Sequence, residues 1–236
     1  MTIDAKALET IPILASLGAA EKTRILSVSQ TIKASKRQLI IQKEAPATGL
    51  WILLAGRLQG VDYTIDGREV GLYFITPGQF FGELSLVDQK SHPEHIIATA
   101  ASEILLIPQT VFQDMMKFHP EIAHQISQAL AERVRSLIKQ RTLLTLATPM
   151  QRLAAQLIDL SKTAPDAVKI EFIPTHQELA MMINASRETV TRAFRTLQTQ
   201  GLIQRHGNTL ILTRRQHLEA LASGQHNPPT TDQDAD

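Results

Sequence analysis

The chain has 236 residues, of which 43% are hydrophobic, so it can form more than one core and two domains are expected. It has no cysteine, which excludes disulfide bonds, thiolate catalysis and cysteine-ligated iron–sulfur or zinc-finger sites. The net charge is only +1, but residues 149–224 hold 9 Lys and Arg against 6 Asp and Glu, a modest basic excess that phosphate groups would favour. No run of about 18 apolar residues and no secretory signal is present, so we expect a cytoplasmic protein without a membrane partner.

Short apolar runs separated by turn signals extend from about residue 37 to residue 108. The turn signals are Ala55-Gly56, Asp66-Gly67 and Pro77-Gly78. Short strands at this regular spacing are typical of a β-barrel or jelly roll. We therefore predict a small β-roll with N-terminal helices in residues 1–119. The predicted strands are 39–41, 51–54, 58–65, 70–75 and 104–107.

The same half of the chain offers little catalytic chemistry. His92 and His95 form an H-x-x-H pair, but the sequence places no third metal ligand, and a solvated loop is the simpler interpretation. No Ser-His-Asp, metal-dependent or glycine-rich phosphate signature is present, so we do not expect an enzyme.

One long helical pattern runs from Pro120 toward Leu146. Its apolar residues repeat about every 3.5 positions, which suits a helix that pairs with its own copy, although Arg141 interrupts the stripe. We predict a dimerisation helix and hinge over residues 120–148; a helix packed on its own domain is the alternative. Pro149 lacks an amide donor and would stop or bend the helix. The predicted interface residues are Ile126, Leu130, Val134, Leu137 and Leu144.

Residues 149–223 are predicted to form a second domain built around two capped helices, with a supporting helix at 151–161. The first capped helix opens with the capping box Thr175-His176-Gln177-Glu178, in which the Thr hydroxyl and the Glu carboxylate would satisfy each other's backbone donors. Asn184-Ala185 supplies a short turn, and Ser186 would cap a second helix that runs to about Gln198.

The second helix has one apolar face and one charged face. Arg can donate to guanine O6 and N7, Glu can accept from the cytosine amino group, and a recognition helix contacts bases mostly through its first turns. A solvated surface face is the alternative for a lone helix, but the paired caps and the following hairpin favour DNA reading. The apolar side holds Val190, Ala193, Phe194 and Leu197. The charged side holds Arg187, Glu188, Thr191, Arg192 and Arg195.

A short hairpin completes this unit. Residues 201–205 and 209–212 flank the turn His206-Gly207-Asn208, in which Gly207 is free to adopt a positive φ. The expected fold class is α+β: an N-terminal jelly-roll-like β-roll, a long dimerisation helix and a C-terminal winged helix-turn-helix. Residues 224–236 have no apolar periodicity and are predicted to be a disordered tail.

These segments, in this order, resemble the Crp/Fnr family of bacterial transcription regulators over roughly residues 10 to 220. Residues 186–192 closely resemble the family's recognition motif S-R-E-T-V-x-R, and residues 81–86 resemble its phosphate-binding cassette. The resemblance implies a homodimeric regulator, more an activator than a repressor, that binds pseudo-palindromic double-stranded DNA and contacts RNA polymerase. It also implies an effector or sensor role for the β-roll of residues 1–119 and base reading by Arg187, Glu188 and Arg192. It implies phosphate contact or helix positioning by Gln177, Ser186, Thr189, Thr191 and Arg195.

The sensor motif departs from that of the family's cyclic-AMP sensors. Their cassette continues about ten residues later with an Arg that pairs the cyclic phosphate, whereas this chain has Ser91-His92-Pro93-Glu94-His95. When the long helix is laid on the family's pattern from Pro120 without gaps, Leu137 and Ile138 occupy the two hydroxyl-bearing positions that contact adenine in the cyclic-AMP sensors. We therefore expect control by an effector other than cyclic AMP or by none, with Gly82-Glu83 kept as a structural turn. The effector-pocket candidates are Gly82, Glu83, Leu84, Ser85, Leu137 and Ile138.

Several cofactor identities stay open at this point. An acid or another nucleotide could use Arg57, Arg68 or Lys90, and haem could use His92 or His95, whereas the missing cysteines exclude the iron–sulfur mode of the Fnr branch. The pocket could also be closed. The alternative to a DNA-binding regulator is a sensing module whose C-terminal domain contacts protein instead of DNA.

Overall fold

The structure is a computed structural model that describes Leu8 and residues 11–67, 69–161, 168–171 and 173–224. The chain forms two compact units, residues 1–135 and residues 136–236. The division falls within the long helix. None of the helices in the described ranges combines the length and the apolar character that crossing a membrane requires. Most of the tail predicted to be disordered lies outside the described residues.

The first unit contains two four-stranded antiparallel sheets. Its strands are β1 (Gln30–Ala34), β2 (Leu39–Ile41), β3 (Gly49–Ala55), β4 (Leu58–Tyr63), β5 (Glu69–Ile75), β6 (Phe80–Phe81), β7 (His95–Ala98) and β8 (Ser102–Pro108). The sheet orders are β1-β8-β3-β6 and β2-β7-β4-β5. The predicted β-roll is confirmed, and all five predicted runs form strands. Three further strands were not predicted, because β1 carries a single large apolar residue, β6 has only two residues and β7 holds only two large apolar residues.

Helices accompany these sheets. They are α1 (Pro12–Ala15), α2 (Ala19–Val28), α3 (Glu83–Asp88) and α4 (Gln109–Phe118), followed by α5 (Pro120–Leu144). Successive side chains of a strand point to opposite faces, so β3 contributes to two cores. Leu50 and Ile52 pack in the cluster that includes the helices, and Trp51 and Leu53 pack in the cluster shared with the other sheet.

The long helix α5 ends at Leu144, two residues before Leu146, toward which the helical pattern was predicted to run. Its first part belongs to the core of the first unit, because Ile126 is buried there and Leu130 packs against the same cluster. This corrects the prediction of one continuous dimer stripe: Ile126 is a core residue, and Leu130 is partly covered by its own domain. Val134, Leu137 and Leu144 are exposed.

The second unit contains the remaining elements. They are α6 (Pro149–Ser161), β9 (Lys169–Ile170), α7 (His176–Met182), α8 (Arg187–Thr199), β10 (Ile203–His206), β11 (Thr209–Leu212) and α9 (Arg215–Ala222). Pro149 is the first residue of α6, where its missing N–H costs nothing. Thr148 and Gln151 bond reciprocally at this end, with Thr148 N donating to Gln151 Oε1 over 3.0 Å. Pro149 therefore starts a helix as well as following the end of α5.

A single hydrophobic cluster supports α7 and α8. It includes Leu153 and Leu157 of α6, Leu179 of α7, Phe194 of α8 and Leu218 of α9. Arg152 of α6 adds polar bonds, donating from Nε to Ile183 O over 2.8 Å and from Nη1 to Leu146 O over 2.9 Å. The helix pair is thus anchored on a rigid base.

Candidate nucleic-acid interface and sensor pocket

The two helices α7 and α8 begin at well-formed caps. Thr175 N donates to Glu178 Oε2 over 2.7 Å and Glu178 N donates to Thr175 Oγ1 over 3.3 Å, which is the predicted capping box. Thr189 N donates to Ser186 Oγ over 3.1 Å at the start of α8. Between the helices Asn184 has a φ of 49°, a left-handed conformation that Asn tolerates better than most residues. These local bonds set the sharp turn between the helices.

The faces of α8 follow the predicted division. The buried residues are Val190, Ala193, Phe194 and Leu197. The exposed residues include Arg187, Glu188, Thr191, Arg192 and Arg195. The helix is therefore anchored by its apolar side and presents guanidinium and carboxylate groups outward from its first two turns.

Glu188 is held in its charged form. Hydrogen bonds from its own backbone N–H and from the Ser186 hydroxyl lower the pKa of this carboxyl below 4.5, and Arg187 and Arg192 add to the effect. An ionised carboxylate only accepts hydrogen bonds, so at neutral pH Glu188 is suited to the cytosine amino group.

The residues predicted to contact phosphates have different environments. Gln177 and Arg195 are exposed. Ser186 and Thr189 are hydrogen-bonded to each other through their hydroxyls at 3.0 Å. Thr191 is bonded within the protein, at 2.9 Å from both Arg187 O and His176 Nδ1. The Thr191 hydroxyl therefore already has two partners within the protein, and its role in phosphate contact or helix positioning stays a prediction.

The predicted hairpin is present as β10 and β11, with Ile203 opposite Leu212 and His206 opposite Thr209. Gly207 at its turn has a φ of 60°, as expected. The two-residue strand β9 extends this sheet by pairing with β11, an addition too short to predict from sequence. Arg205 lies exposed on β10 and donates from Nε to Gly207 O over 2.9 Å. Arg205 was not among the predicted DNA-contacting residues, although its position beside the hairpin turn is visible in the sequence.

Gly82 begins the motif predicted to form the sensor pocket. Its φ is 79°, and an added Cβ would lie 2.9 Å from Trp51 Cδ1 and 3.3 Å from His92 Cε1. Only glycine combines this conformation with such close packing. The position therefore has a structural role at the start of α3.

Glu83 follows Gly82 and is fully buried. Its Oε1 lies 2.7 Å from Arg133 Nη1 of α5. Neither carboxylate oxygen accepts an aligned hydrogen bond from the described residues, so charge holds the pair together. Burial raises the pKa of Glu83 above 4.5 more than Arg133 lowers it. Glu83 is thus sealed from solvent and already has a cationic partner.

Arg133 also covers an aromatic ring. Its guanidinium carbon lies 4.9 Å from the centroid of Tyr73, and the Tyr73 hydroxyl donates to Glu94 Oε1 over 2.6 Å. Burial raises the pKa of Tyr73, so the phenol stays neutral and can donate. Gly60 leaves room for this ring, because a Cβ there would lie 2.9 Å from Tyr73 Cε1. We call Glu83, Arg133, Tyr73 and Glu94 the Arg133 network. No spacing in the sequence links its members.

The other pocket candidates have different surroundings, each within its own unit. Ser85 Oγ lies 3.1 Å from His92 Nδ1, and both residues are buried. Leu84 is half-buried, whereas Leu137 and Ile138 are exposed on the part of α5 that belongs to the second unit.

The histidines proposed for haem or metal have separate protein partners. Burial lowers the pKa of His92, which is bonded to Ser85, while His95 Nδ1 accepts from Lys43 N over 3.2 Å. Within the described ranges no three His, Cys, Asp or Glu residues are grouped as metal ligands. The H-x-x-H pair thus lies partly in strand β7 instead of forming the expected solvated loop.

Two of the cations considered for an anionic effector have their own neighbours. The Arg57 guanidinium carbon lies 4.2 Å from the centroid of Phe74. Lys90 Nζ is exposed, 3.8 Å from Asp88 Oδ2, at an open polar cleft of about 370 Å³. Arg68 lies outside the described residues.

Comparison with protein families gives two matches. Residues 151–221 match a Crp-like helix-turn-helix domain, and residues 31–119 match a cyclic nucleotide-binding domain. The cAMP-activated global transcriptional regulator CRP of Haemophilus influenzae is 31% identical over 186 residues, which cover 76% of this chain and 82% of that protein. Its counterpart in Pasteurella multocida is 30% identical, over 76% of this chain and 88% of that protein.

Solved structures show the same fold. FixK2 of Bradyrhizobium japonicum superposes with a TM-score of 0.69 at 23% identity, covering 82% of this chain and 97% of that chain. The c-di-GMP responsive global regulator CLP of Xanthomonas campestris superposes with a TM-score of 0.65 at 24% identity, covering 83% of this chain and 99% of that chain.

Proposed function

Because the chain belongs to the Crp/Fnr family of DNA-binding transcription regulators, we propose that it acts as a homodimer on a pseudo-palindromic DNA site and is not controlled by cyclic AMP. The observation that carries the DNA part is the outward face of α8. Arg187, Glu188 and Arg192 are exposed on its first two turns, where a recognition helix meets base edges. Activation through RNA polymerase is part of the proposal. A run-off transcription assay in which the chain does not increase the amount of transcript would contradict it.

The Arg133 network supports the proposal about the effector. The H. influenzae relative is named as cAMP-activated, but here the stretch that would carry the phosphate-pairing Arg has Glu94, which is bonded to Tyr73. Glu83 is paired with Arg133. A cyclic phosphodiester entering beside these groups would meet two carboxylates and one guanidinium, and like charges at short range repel strongly where water is excluded. An effector of different chemistry, or none, suits this pocket better.

Titrating a labelled pseudo-palindromic duplex with the full chain tests both parts. We expect binding that weakens steeply with salt, because Lys and Arg release counterions from DNA. Millimolar cyclic AMP should change neither this affinity nor the melting temperature, since a ligand that binds only the native state would raise the latter. A clear rise in either with cyclic AMP would end the effector proposal and leave DNA binding intact. Salt-independent binding, or none, would favour the module that contacts protein.

The exposed apolar residues of α5 support the dimer. Val134, Leu137 and Ile138 are 55%, 58% and 61% exposed, a row that is costly to leave in water. Pairing with a second α5 would bury it in a seam of the coiled-coil type.

Leu137→Glu should therefore weaken dimerisation by about 100-fold or more, because each of two subunits would place a carboxylate in an apolar seam. Ser136→Glu adds the same charge at the preceding exposed position and should leave the dimer intact. Sedimentation equilibrium measures both variants. Equal dissociation constants for the two variants would contradict this interface.

A further inference from the structure

His176 connects the two helices of the proposed DNA-binding unit. It is the first residue of α7, and its Nδ1 lies 2.9 Å from the hydroxyl of Thr191 in the second turn of α8. The same hydroxyl lies 2.9 Å from Arg187 O, one turn earlier in α8. The contact thus joins α7 to the backbone of a predicted base-reading residue.

The hydrogen-bond chemistry fixes the tautomer of this histidine. A Thr hydroxyl has one hydrogen, and Arg187 O is a carbonyl that can only accept. If Thr191 donates to Arg187 O, its oxygen must accept from His176, so Nδ1 carries the proton. Both bonds are satisfied together only in this arrangement.

The other ring nitrogen cannot reach DNA in this geometry. His176 Nε2 is shielded from solvent and has no hydrogen-bond partner among the described residues. The ring packs on Phe194 of the core, with centroids 4.9 Å apart. Burial, followed by Arg205 and Arg187, lowers the pKa of His176, which agrees with a neutral ring. The polar contact of His176 with the exposed side of α8 is therefore its bond to Thr191.

We propose that His176 is a positioning residue for DNA reading. Its bond to Thr191 fixes the first turns of α8, and with them the direction in which the Arg187 side chain projects from the helix. This inference rests on the proposed function, since it assumes that α8 reads bases. Hydrogen bonds to base edges depend on the direction of the side chain, whereas attraction to phosphates depends mostly on its charge. Loss of the bond should therefore reduce affinity for the preferred duplex far more than affinity for random DNA.

Four variants of the full chain test this inference by fluorescence anisotropy on the two duplexes. Thr191→Val and His176→Leu should each weaken binding to the preferred duplex about 5-fold, as expected for loss of the hydrogen bond between the two helices, and leave random DNA within about 2-fold. The double variant should be no weaker than either single one, because both remove the same bond. His176→Asn should retain wild-type affinity within about 2-fold, since the Asn amide can donate from nearly the place of Nδ1.

Thr196→Val is the matched control. Thr196 is also exposed on α8 and donates to Arg192 O over 3.1 Å, but it has no described partner on α7. It should bind like the wild type. Equal effects of Thr191→Val and Thr196→Val, additive losses in the double variant, or no recovery with His176→Asn would overturn the inference. A wild-type chain that does not distinguish the two duplexes would instead refute the proposed function. Should His176→Leu not fold, Thr191→Val and His176→Asn still decide.

Discussion

Replacing Arg133 by Met should lower the free energy of unfolding of the first unit by about 3–5 kcal/mol, because the change leaves a buried charge without its partner. Glu83 is fully buried, and Arg133 Nη1 at 2.7 Å is its described counter-ion. Met retains most of the apolar stem, so the loss reports mainly on the charge. Urea denaturation followed by circular dichroism measures the change.

Two further variants separate this charge effect from packing. Adding Glu83→Gln to Arg133→Met should restore much of the loss, because it removes the uncompensated carboxylate. Arg135→Met, at an exposed position two residues away, should change stability by less than about 0.5 kcal/mol. A similar small effect for Arg133→Met would show that the ion pair does not stabilise the first unit.

The loss in Arg133→Met should also depend on pH. Burial raises the pKa of Glu83 in the folded state above its unfolded value near 4.5, so the folded chain binds this proton more tightly. The penalty is fully present above the folded pKa and is relieved as the pH falls toward 4.5.

Arg187→Ala should weaken binding to the preferred duplex by about 1–3 kcal/mol and relax base preference at one position of each half-site. Arg187 is exposed at the start of α8, where a bidentate contact with guanine is available. Arg195→Ala provides the contrast. Arg195 is predicted to contact phosphate, so its loss should weaken binding to preferred and random DNA alike and reduce the salt slope by about 1.

Anisotropy titrations on both duplexes at several salt concentrations distinguish these patterns. Equal losses for Arg187→Ala on preferred and random DNA would remove Arg187 from the set of base readers.

The sequence predicted the DNA-binding unit well because its signals are local. The capping box of Thr175 and Glu178 and the cap at Ser186 join residues three positions apart. The apolar residues of α8 recur every three or four positions, about once per turn. Such interactions can be recognised without knowledge of the tertiary fold. The Gly207 turn was predictable for the same reason.

The Arg133 network was not predictable in this way because its contacts join distant segments. Arg133 and Glu83 are 50 positions apart, and Tyr73 and Glu94 are 21 apart. Only the packing of α5 and the second sheet brings them together. The packing of α5 into the cluster that includes Leu50 and Ile52 of β3 covers Ile126, which helical periodicity alone could not distinguish from an open dimer face. Likewise, the motif at residues 186–192 could not show that the Thr191 hydroxyl is occupied by His176.

The central claim is that the face of α8 that carries Arg187, Glu188 and Arg192 lies against base edges. Selection of bound duplexes from a randomised pool by the full chain tests this claim most directly. We predict enrichment of two inverted half-sites whose centres lie about one helical turn apart, some 10–10.5 base pairs, with guanine and cytosine at fixed positions of each. Recovery of a pool with no preferred sequence, at a salt concentration where the chain still binds DNA, would contradict it.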